Sequence, residues 1–125
     1  MNIEEFREYC IAKKAVTEAF PFDATTLVFK VCGKMFALSS LNGWENGTQA
    51  VNLKCEPEKA IELRADYSSI EPGFHMNKKH WNTLKLFKGE LKDDFIKDLI
   101  DHSYDLVVKS LTKKQKVELL DTKVK

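Results

Sequence analysis

The chain has 125 residues, of which 43% are hydrophobic and 31% are charged, with a formal net charge of +1. This length supports one sizeable core, and the composition excludes a disordered or low-complexity segment. No apolar run approaches the roughly 18 residues of a membrane helix, and the acidic N-terminus is unlike a secretion signal. Three widely spaced cysteines favour buried thiols over a disulfide framework. We expect one domain over residues 1–125, located in the cytoplasm with no membrane partner.

A helix and a β-hairpin are predicted first along the chain. Residues 2–14 repeat apolar side chains at helical spacing behind Asn2, a good N-cap. Residues 25–40 alternate with period two on both sides of Cys32–Gly33, which predicts a two-residue turn. That turn predicts cross-strand pairs that share one face of the sheet, namely Phe29 with Phe36 and Leu27 with Leu38.

A loop, a strand and a second helix are predicted next. Residues 41–48 contain two glycines and are predicted as a loop. Residues 49–55 alternate again, with Asn52 and Lys54 pointing away from the core. Pro57 is well placed in the first turn of the helix that follows, because proline lacks a backbone donor that would be unsatisfied there.

The last third of the chain predicts one strand and two helices. Pro72 and Gly73 form a turn, and a strand follows from His80. Asp93 begins a helix to about residue 110, and its core-facing stripe comprises Ile96, Leu99, Ile100, Ser103 and Val107. Thr112 and Gln115 match a capping box, so a short basic helix follows, with Val117 and Leu120 on its apolar side. This order of elements predicts an α+β protein with a mostly antiparallel sheet.

The sequence offers no strong catalytic or metal-binding motif. His75 and His80 lie five residues apart, which separates them on either a strand or a helix, and no cysteine pair completes a zinc site. No nucleophile elbow and no glycine-rich phosphate loop occur. Asp98, Asp101 and Asp105 follow helical spacing but oppose the apolar stripe, so they are interpreted as a solvated face. We expect no catalytic residue, no metal and no cofactor.

The stretch PGFHMNKKHWNTLKL, residues 72–86, combines groups that bind nucleic acid. Lysines neutralise phosphates, aromatic rings stack on bases, and amides contact base edges. The members with these chemistries are Lys78 and Lys79, Phe74 and Trp81, and Asn77 and Asn82. A structural interpretation stands beside this one, in which Trp81 fills the core and the lysines solvate a turn.

Positive charge is concentrated in segments that a sheet brings together. Residues 30–55 and 72–92 carry net charges of +2 and +4. If the predicted pairing holds, one sheet face carries Lys30, Asn52, Lys54 and Lys85, and such a face attracts a polyanion. Val28, Met35 and Ala37 share this face, which favours cover by a helix or a second subunit instead.

Five motifs in one order resemble the MmcQ/YjbR family: FPF at 20–22, TLVFKVCGKMFAL at 26–38, NLKCEPE at 52–58, PGFHMNKKHWNT at 72–83 and DHSYDLVV at 101–108. The resemblance runs from the first helix to about Leu120. It implies a single compact α+β domain with a curved antiparallel sheet flanked by helices, similar to CyaY-like folds. It also implies DNA binding through a double-wing motif, and it supplies no catalytic residue.

The expected function is that of a DNA-binding accessory protein without catalytic activity, active as a monomer or weak homodimer on duplex DNA. The predicted nucleic-acid contacts are Lys30, Lys54, Asn77, Lys78, Lys79, His80, Trp81, Asn82 and Lys85. The alternative is a protein-interaction or small-ligand-binding module that uses an apolar cluster of Phe74, Met76 and Trp81.

Overall fold

The computed structural model describes residues 1–121, within which six antiparallel strands form one open sheet in the order β1-β2-β3-β4-β6-β5. The strands are β1 (Val16–Ala19), β2 (Thr26–Val31), β3 (Lys34–Ser40), β4 (Ala50–Lys54), β5 (Ile70–Pro72) and β6 (Trp81–Lys85). The helices are α1 (Ile3–Ile11), α2 (Leu41–Asn46), α3 (Pro57–Asp66), α4 (Asp93–Lys109) and α5 (Lys113–Asp121), with a 3₁₀ turn at Leu86–Lys88. The predicted α+β class is confirmed, and the last four residues of the predicted domain lie outside the described residues.

The predicted helix caps and the α4 stripe are confirmed. Asn2 accepts a hydrogen bond from the Glu5 backbone N–H, and the Glu5 carboxylate accepts one from the Asn2 backbone N–H. Thr112 and Gln115 make the same reciprocal pair at the start of α5. All five side chains of the predicted α4 stripe are buried. These short-range patterns succeed because each group finds its partner within one helical turn.

Three short elements were not predicted. The expected loop at 41–48 contains α2, a six-residue helix that ends at Gly47 in the left-handed conformation. Strands β1 and β5 have four and three residues and lie at the two edges of the sheet. Elements this short carry too few residues to show a period, so pairing with a neighbour decides their structure.

The predicted register of the β2–β3 hairpin is wrong beyond its turn. Val31 pairs with Lys34 as expected, but a β-bulge then shifts the pairing so that Phe29 faces Ala37. Leu38 consequently pairs with Val28 rather than with Leu27, and Ala37 joins the helix-covered core. The extra residue of a bulge moves every following side chain to the opposite face.

The main core lies between one face of the sheet and the helices. Phe6 of α1 packs edge-on against Phe29 with ring centroids 5.7 Å apart. Ser103 of α4 donates a hydrogen bond to the Phe36 carbonyl and accepts one from the Lys54 backbone N–H. This buried hydroxyl fixes α4 across the middle of the sheet, because both bonds would be costly to lose away from water.

Two further helix predictions need correction. In α5 the buried residue is Leu119, whereas the predicted Val117 and Leu120 are exposed. In α4, Asp101 is not simply solvated, since it accepts hydrogen bonds from the Tyr9 hydroxyl and from the Lys13 ammonium. The aspartate thus ties the end of α1 to α4. No helix within residues 1–121 combines the length and apolar character needed to cross a membrane.

Candidate binding face of the sheet

The face of the sheet turned away from the helices forms a candidate binding surface, which we call the open face. Cross-strand pairing places on it Val28, Lys30, Met35, Leu38, Asn52, Lys54, Glu71, Trp81, Thr83 and Lys85. Among the described residues, Val28, Leu38 and Trp81 form a small second hydrophobic cluster there, with Met35 and Met76 packed against it. The loop between β5 and β6 covers part of this cluster, because Met76 belongs to that loop.

The 73–80 loop, which joins β5 to β6, is held close to the sheet by backbone hydrogen bonds. The Gly73 N–H donates to the Trp81 carbonyl, and the His80 carbonyl accepts from the Cys55 N–H. A Cβ atom at Gly73 would lie 2.8 Å from the Trp81 Cβ and 3.0 Å from the Met76 Cβ. Glycine is therefore required at position 73 by close packing between the loop and the start of β6.

Arg64 anchors the end of the same loop from the helix-covered side. Its Nε donates to the Asn82 side-chain carbonyl at 2.7 Å, and its Nη2 donates to the backbone carbonyls of Lys78 and Trp81. Three acceptors on adjoining parts of the chain suit the rigid fork of a guanidinium. Arg64 thus connects α3 to the point where the loop enters β6.

A cavity of about 460 Å³ lies on the open face between residues of β2, β3, β4 and the 73–80 loop. We call it the Phe22–Phe74 cavity. Its apolar lining comprises Phe22, Leu38, Phe74 and Met76, and its polar lining comprises Asp23, Thr26, Ser39, Ser40, Asn52 and His75. The Phe22 and Phe74 side chains are 64% and 68% exposed, which is unusual for phenyl groups.

Asn52 presents a hydrogen-bond donor at this cavity, because a relay fixes the orientation of its amide. The Phe74 backbone N–H donates to Thr83 Oγ1 at 2.9 Å. The Thr83 hydroxyl donates its own hydrogen to Asn52 Oδ1 at 2.5 Å. Among residues 1–121, no group accepts a hydrogen bond from Asn52 Nδ2. Two N–H donors of a cavity-lining side chain are thus available to a ligand.

A permanent negative charge stands at the rim of the cavity. The Asp23 carboxylate accepts hydrogen bonds from the backbone N–H groups of Thr25 and Thr26 and from both hydroxyls. These bonds, led by the one from the Thr25 backbone, lower the pKa of Asp23. The side chain is consequently ionised at neutral pH.

Strain and aromatic contact mark the loop beside the cavity. His75 has a positive φ of 57°, a conformation that few residues other than glycine adopt. Its ring centroid lies 4.0 Å from that of Phe74. A second cavity of about 670 Å³ lies on the other side of Phe74, bordered by Glu71, Lys85 and Phe87. Phe74 therefore separates two concave regions of the open face.

The predicted lysines of the strands lie on the open face. Lys30 and Lys54 are half-buried there, and within the described residues neither forms an ion pair. Lys85 differs, because its ammonium lies 2.7 Å from the Glu71 carboxylate. This pairing lowers the pKa of Glu71 and leaves Lys85 less available to a phosphate.

Asn82 and Trp81 are not placed as nucleic-acid contacts. Asn82 points to the helix-covered side, is 1% exposed, and uses its side chain to bind Arg64 and the Ala60 carbonyl. Trp81 is 8% exposed and packs with Val28 and Leu38. Strand alternation put these neighbours on opposite faces, and the buried position of each excludes stacking or base contact in this conformation.

The predicted loop residues have mixed roles. Lys78 donates from Nζ to the Gly73 carbonyl at 2.9 Å, and the Asn77 side chain accepts from the Lys79 backbone N–H at 3.0 Å. Both bonds lie within the loop. The Lys79 side chain is exposed, and His80 is half-buried at the start of β6.

Sequence reasoning missed residues that shape the cavity. Phe22 and Asp23 reach it from the loop before β2 and Ser40 from the end of β3, all distant in sequence from the 73–80 loop, so no local pattern connects them. The motif FPF at residues 20–22, which contains Phe22, was the available signal. Among residues 1–121, no group of three or more His, Cys, Asp or Glu side chains is placed to hold a metal ion.

Known proteins of similar sequence and fold share this architecture. The sequence pattern of the family described as YjbR matches residues 11–106. The uncharacterised protein YjbR of Escherichia coli strain K12 is 36% identical over 116 residues, which are 93% of this chain and 95% of the relative. The uncharacterised protein YbdF of Escherichia coli O157:H7 is 42% identical over 96 residues, 76% of this chain and 75% of the relative.

Solved structures give the same result. The crystal structure of the Deinococcus radiodurans protein DR2400 superposes with a TM-score of 0.83 and 37% identity, covering 94% of this chain and 87% of that one. A Pseudomonas syringae protein superposes with a TM-score of 0.71 and 30% identity, covering 85% and 98%. Sequence and fold agree over most of the length, and the chain belongs to the YjbR family.

Proposed function

We propose that the protein is a binding protein that takes a small ligand in the Phe22–Phe74 cavity of its open face. The carrying observation is the cavity itself, about 460 Å³ in volume, whose lining surface is mostly apolar although six of its ten lining residues are polar. Ligand sites in proteins have volumes of roughly 300–1,000 Å³ and this kind of lining. Of the two functions expected from the sequence, this is the apolar-cluster alternative, with Trp81 supporting the site from below.

The exposure of the aromatic walls supports the proposal. Phe22 and Phe74 leave most of their phenyl surface in water, where burial by a ligand is favourable. The 73–80 loop holds Phe74 beside the cavity through the Thr83 bond and the Gly73 contact. Because this wall is already fixed, less conformational entropy is lost when a ligand binds.

The proposal is tested with Nile red, a neutral aromatic dye whose fluorescence rises in apolar sites. The wild-type protein binds the dye, and Phe74→Ala weakens binding by about two- to tenfold, the worth of one aromatic contact. The matched control is Ile61→Ala, because Ile61 is a similarly exposed apolar side chain on α3. That variant leaves the affinity unchanged.

A variant that fills the cavity gives an independent test. Ser40 is exposed, lines the cavity and makes no side-chain cap bond at the start of α2, so Ser40→Trp places an indole in the space without removing a known contact. Dye binding is then lost while the thermal midpoint stays near that of the wild type. Equal dye affinity in wild type, Phe74→Ala and Ser40→Trp contradicts the proposal.

DNA binding remains the second candidate, favoured by Lys30 and Lys54 of the open face, which form no ion pair within residues 1–121. Three to five lysine–phosphate contacts give a log–log salt slope of roughly −3 to −5 for duplex DNA. The double variant Lys30→Ala, Lys54→Ala flattens that slope by about two if both contact phosphate. Lys113→Ala, Lys114→Ala on α5 is the matched charge control. An unchanged slope in the first variant removes this candidate.

Several expectations stay predictions. The absence of a catalytic activity is one of them. The monomeric or weakly dimeric state is likewise a prediction. The cytoplasmic location rests on Cys10, Cys32 and Cys55, which are unpaired.

A further inference from the structure

We propose that the ligand of the Phe22–Phe74 cavity is a neutral, flat ring whose carbonyl oxygen accepts a hydrogen bond from the Asn52 amide. This inference rests on the proposed function and names the ligand class for the same site. It makes Asn52 the residue that determines specificity. Three features of the structure carry it: the relay that orients the amide, the charge at the rim, and the aromatic walls.

The relay decides which kind of polar group fits beside Asn52. Thr83 Oγ1 already accepts from the Phe74 backbone N–H, so its hydroxyl hydrogen is directed to Asn52 Oδ1. Rotating the amide would set the Asn52 N–H₂ against the Thr83 hydroxyl and leave that hydroxyl hydrogen without its acceptor, at a cost comparable to a lost hydrogen bond. Asn52 is therefore held as a donor toward the cavity, and a ligand must offer an acceptor.

The rim charge decides the charge of the ligand. The Asp23 carboxylate lines the cavity and is occupied by the N–H and hydroxyl groups of its own turn. Among the described residues that line the cavity, Asp23 is the one carboxylate, and no lysine or arginine stands beside it. An anionic ligand would be repelled there, so a carboxylate or phosphate acceptor fits poorly and a neutral carbonyl fits well.

The walls decide the shape of the ligand. Phe22 and Phe74 present exposed phenyl groups on one cavity, and the Phe74 ring also contacts the His75 ring. Aromatic walls favour offset or edge contacts with another flat ring. A lactam, a pyrimidinone or an aryl carboxamide combines such a ring with a neutral carbonyl.

Three probes with the same flat ring separate the polar-group requirement from the charge requirement: acetophenone carries a neutral acceptor, aniline is a neutral donor, and benzoate is an anionic acceptor. Dissociation constants are measured by ligand-observed NMR titration. In the wild type acetophenone binds about tenfold more tightly than aniline, because aniline leaves the Asn52 donors unpaired. Benzoate also binds more weakly than acetophenone. Benzoate affinity equal to that of acetophenone overturns the neutral-ligand part of the inference.

Asn52→Asp provides the decisive comparison, because aspartate has the same shape and still accepts from the Thr83 hydroxyl. The variant loses the donors, so the ratio of aniline to acetophenone affinity rises by about tenfold or more. If the wild type and Asn52→Asp show the same ratio of aniline to acetophenone affinity, the inference fails while Nile red binding still supports a cavity ligand. If neither the probes nor Nile red bind the wild type, the proposed function itself fails.

Discussion

At the scale of single residues, the structure separates Lys78 from Lys79, which the sequence presents as an equivalent pair. Both side chains are exposed, but Lys78 donates to the Gly73 carbonyl and so closes the 73–80 loop on itself, whereas the Lys79 ammonium makes no hydrogen bond within residues 1–121. We expect Lys78→Ala to lower the free energy of unfolding by about 0.5–1.5 kcal/mol, the worth of one hydrogen bond. Lys79→Ala, the matched control, changes it by less than about 0.5 kcal/mol.

Urea unfolding followed by tryptophan fluorescence measures both lysine variants. Trp81 lies next to the loop and reports its packing. If both variants lose the same free energy of unfolding, or if Lys79→Ala loses more, the Lys78 hydrogen bond does not stabilise the loop.

Arg64 is a second residue whose role is visible only in three dimensions. Arg64→Met keeps the aliphatic stem but removes the donors to Asn82, Lys78 and Trp81. Because the side-chain amide oxygen of Asn82 is then left buried without its charged donor, we expect a loss of about 2–3 kcal/mol in the free energy of unfolding. Glu62→Ala, an exposed change on the same helix, is the control and costs less than about 0.5 kcal/mol.

Chemical denaturation measures the free energy of unfolding of both α3 variants, Arg64→Met and Glu62→Ala. A loss in Arg64→Met no larger than that in Glu62→Ala would mean that water replaces the guanidinium at no cost. In that case the loop is held by its backbone bonds alone.

At the scale of elements, α4 and α3 are joined through a histidine that is neutral in the folded protein. His102 Nε2 accepts a hydrogen bond from the Glu56 backbone N–H at 3.2 Å, at the N-cap of α3. Burial, with the nearby Lys59 charge, lowers the pKa of His102 below its ordinary value of 6.5, although Glu56 and Asp105 act in the opposite direction. Protonation would also remove the acceptor that this helix end uses.

The sign of the pH effect follows from the lowered pKa. Above pH 6.5 the imidazole is neutral in both states, so its contribution to stability is complete. As the pH falls below that value, the unfolded chain takes up a proton before the folded protein does, and stability is lost. We therefore expect the thermal midpoint to fall more between pH 7.5 and pH 5.5 in the wild type than in His102→Gln.

Differential scanning calorimetry at both pH values measures this difference. Glutamine keeps a side-chain acceptor without titrating, and the remaining groups titrate alike in both proteins. An equal fall of the thermal midpoint in the two proteins would show that His102 does not make the stability depend on pH.

The elements themselves were predictable where the signal is local. The α4 stripe and the caps at Asn2 and Thr112 are contained within a few residues, and all were confirmed. The bulge after Phe29 was not predictable, since alternation continues through it and only the pairing with β3 reveals the shift. Edge strands β1 and β5 were missed for a related reason, because each is defined by one neighbouring strand.

At the scale of the whole molecule, the sheet divides the predicted site residues between two environments. The sequence predicts both Trp81 and Asn82 as contacts, whereas alternation along β6 turns them to opposite faces and the structure buries both. The open face then gathers Phe22, Asn52 and Phe74 from three separate parts of the chain. Such a site depends on strand order, and strand order is set by long-range pairing.

This arrangement also explains why two functions were open from the sequence. Lysines of both basic segments do reach the open face, namely Lys30 and Lys54 of the first and Lys85 of the second, and they share this face with an aromatic cavity. Positive charge alone favours a polyanion, while concave apolar surface favours a small ligand. The cavity makes the ligand the leading proposal, and the lysines keep nucleic acid as its competitor.

The most direct test of the central claim is an amide NMR titration of the wild-type protein with acetophenone. We expect concentration-dependent shifts at the Asn52 side-chain N–H₂ and at the Phe74 and Met76 backbone N–H groups, with none in α5. Shifts confined to α5 or spread evenly over the molecule, with the Asn52 signal unmoved at saturation, would contradict it.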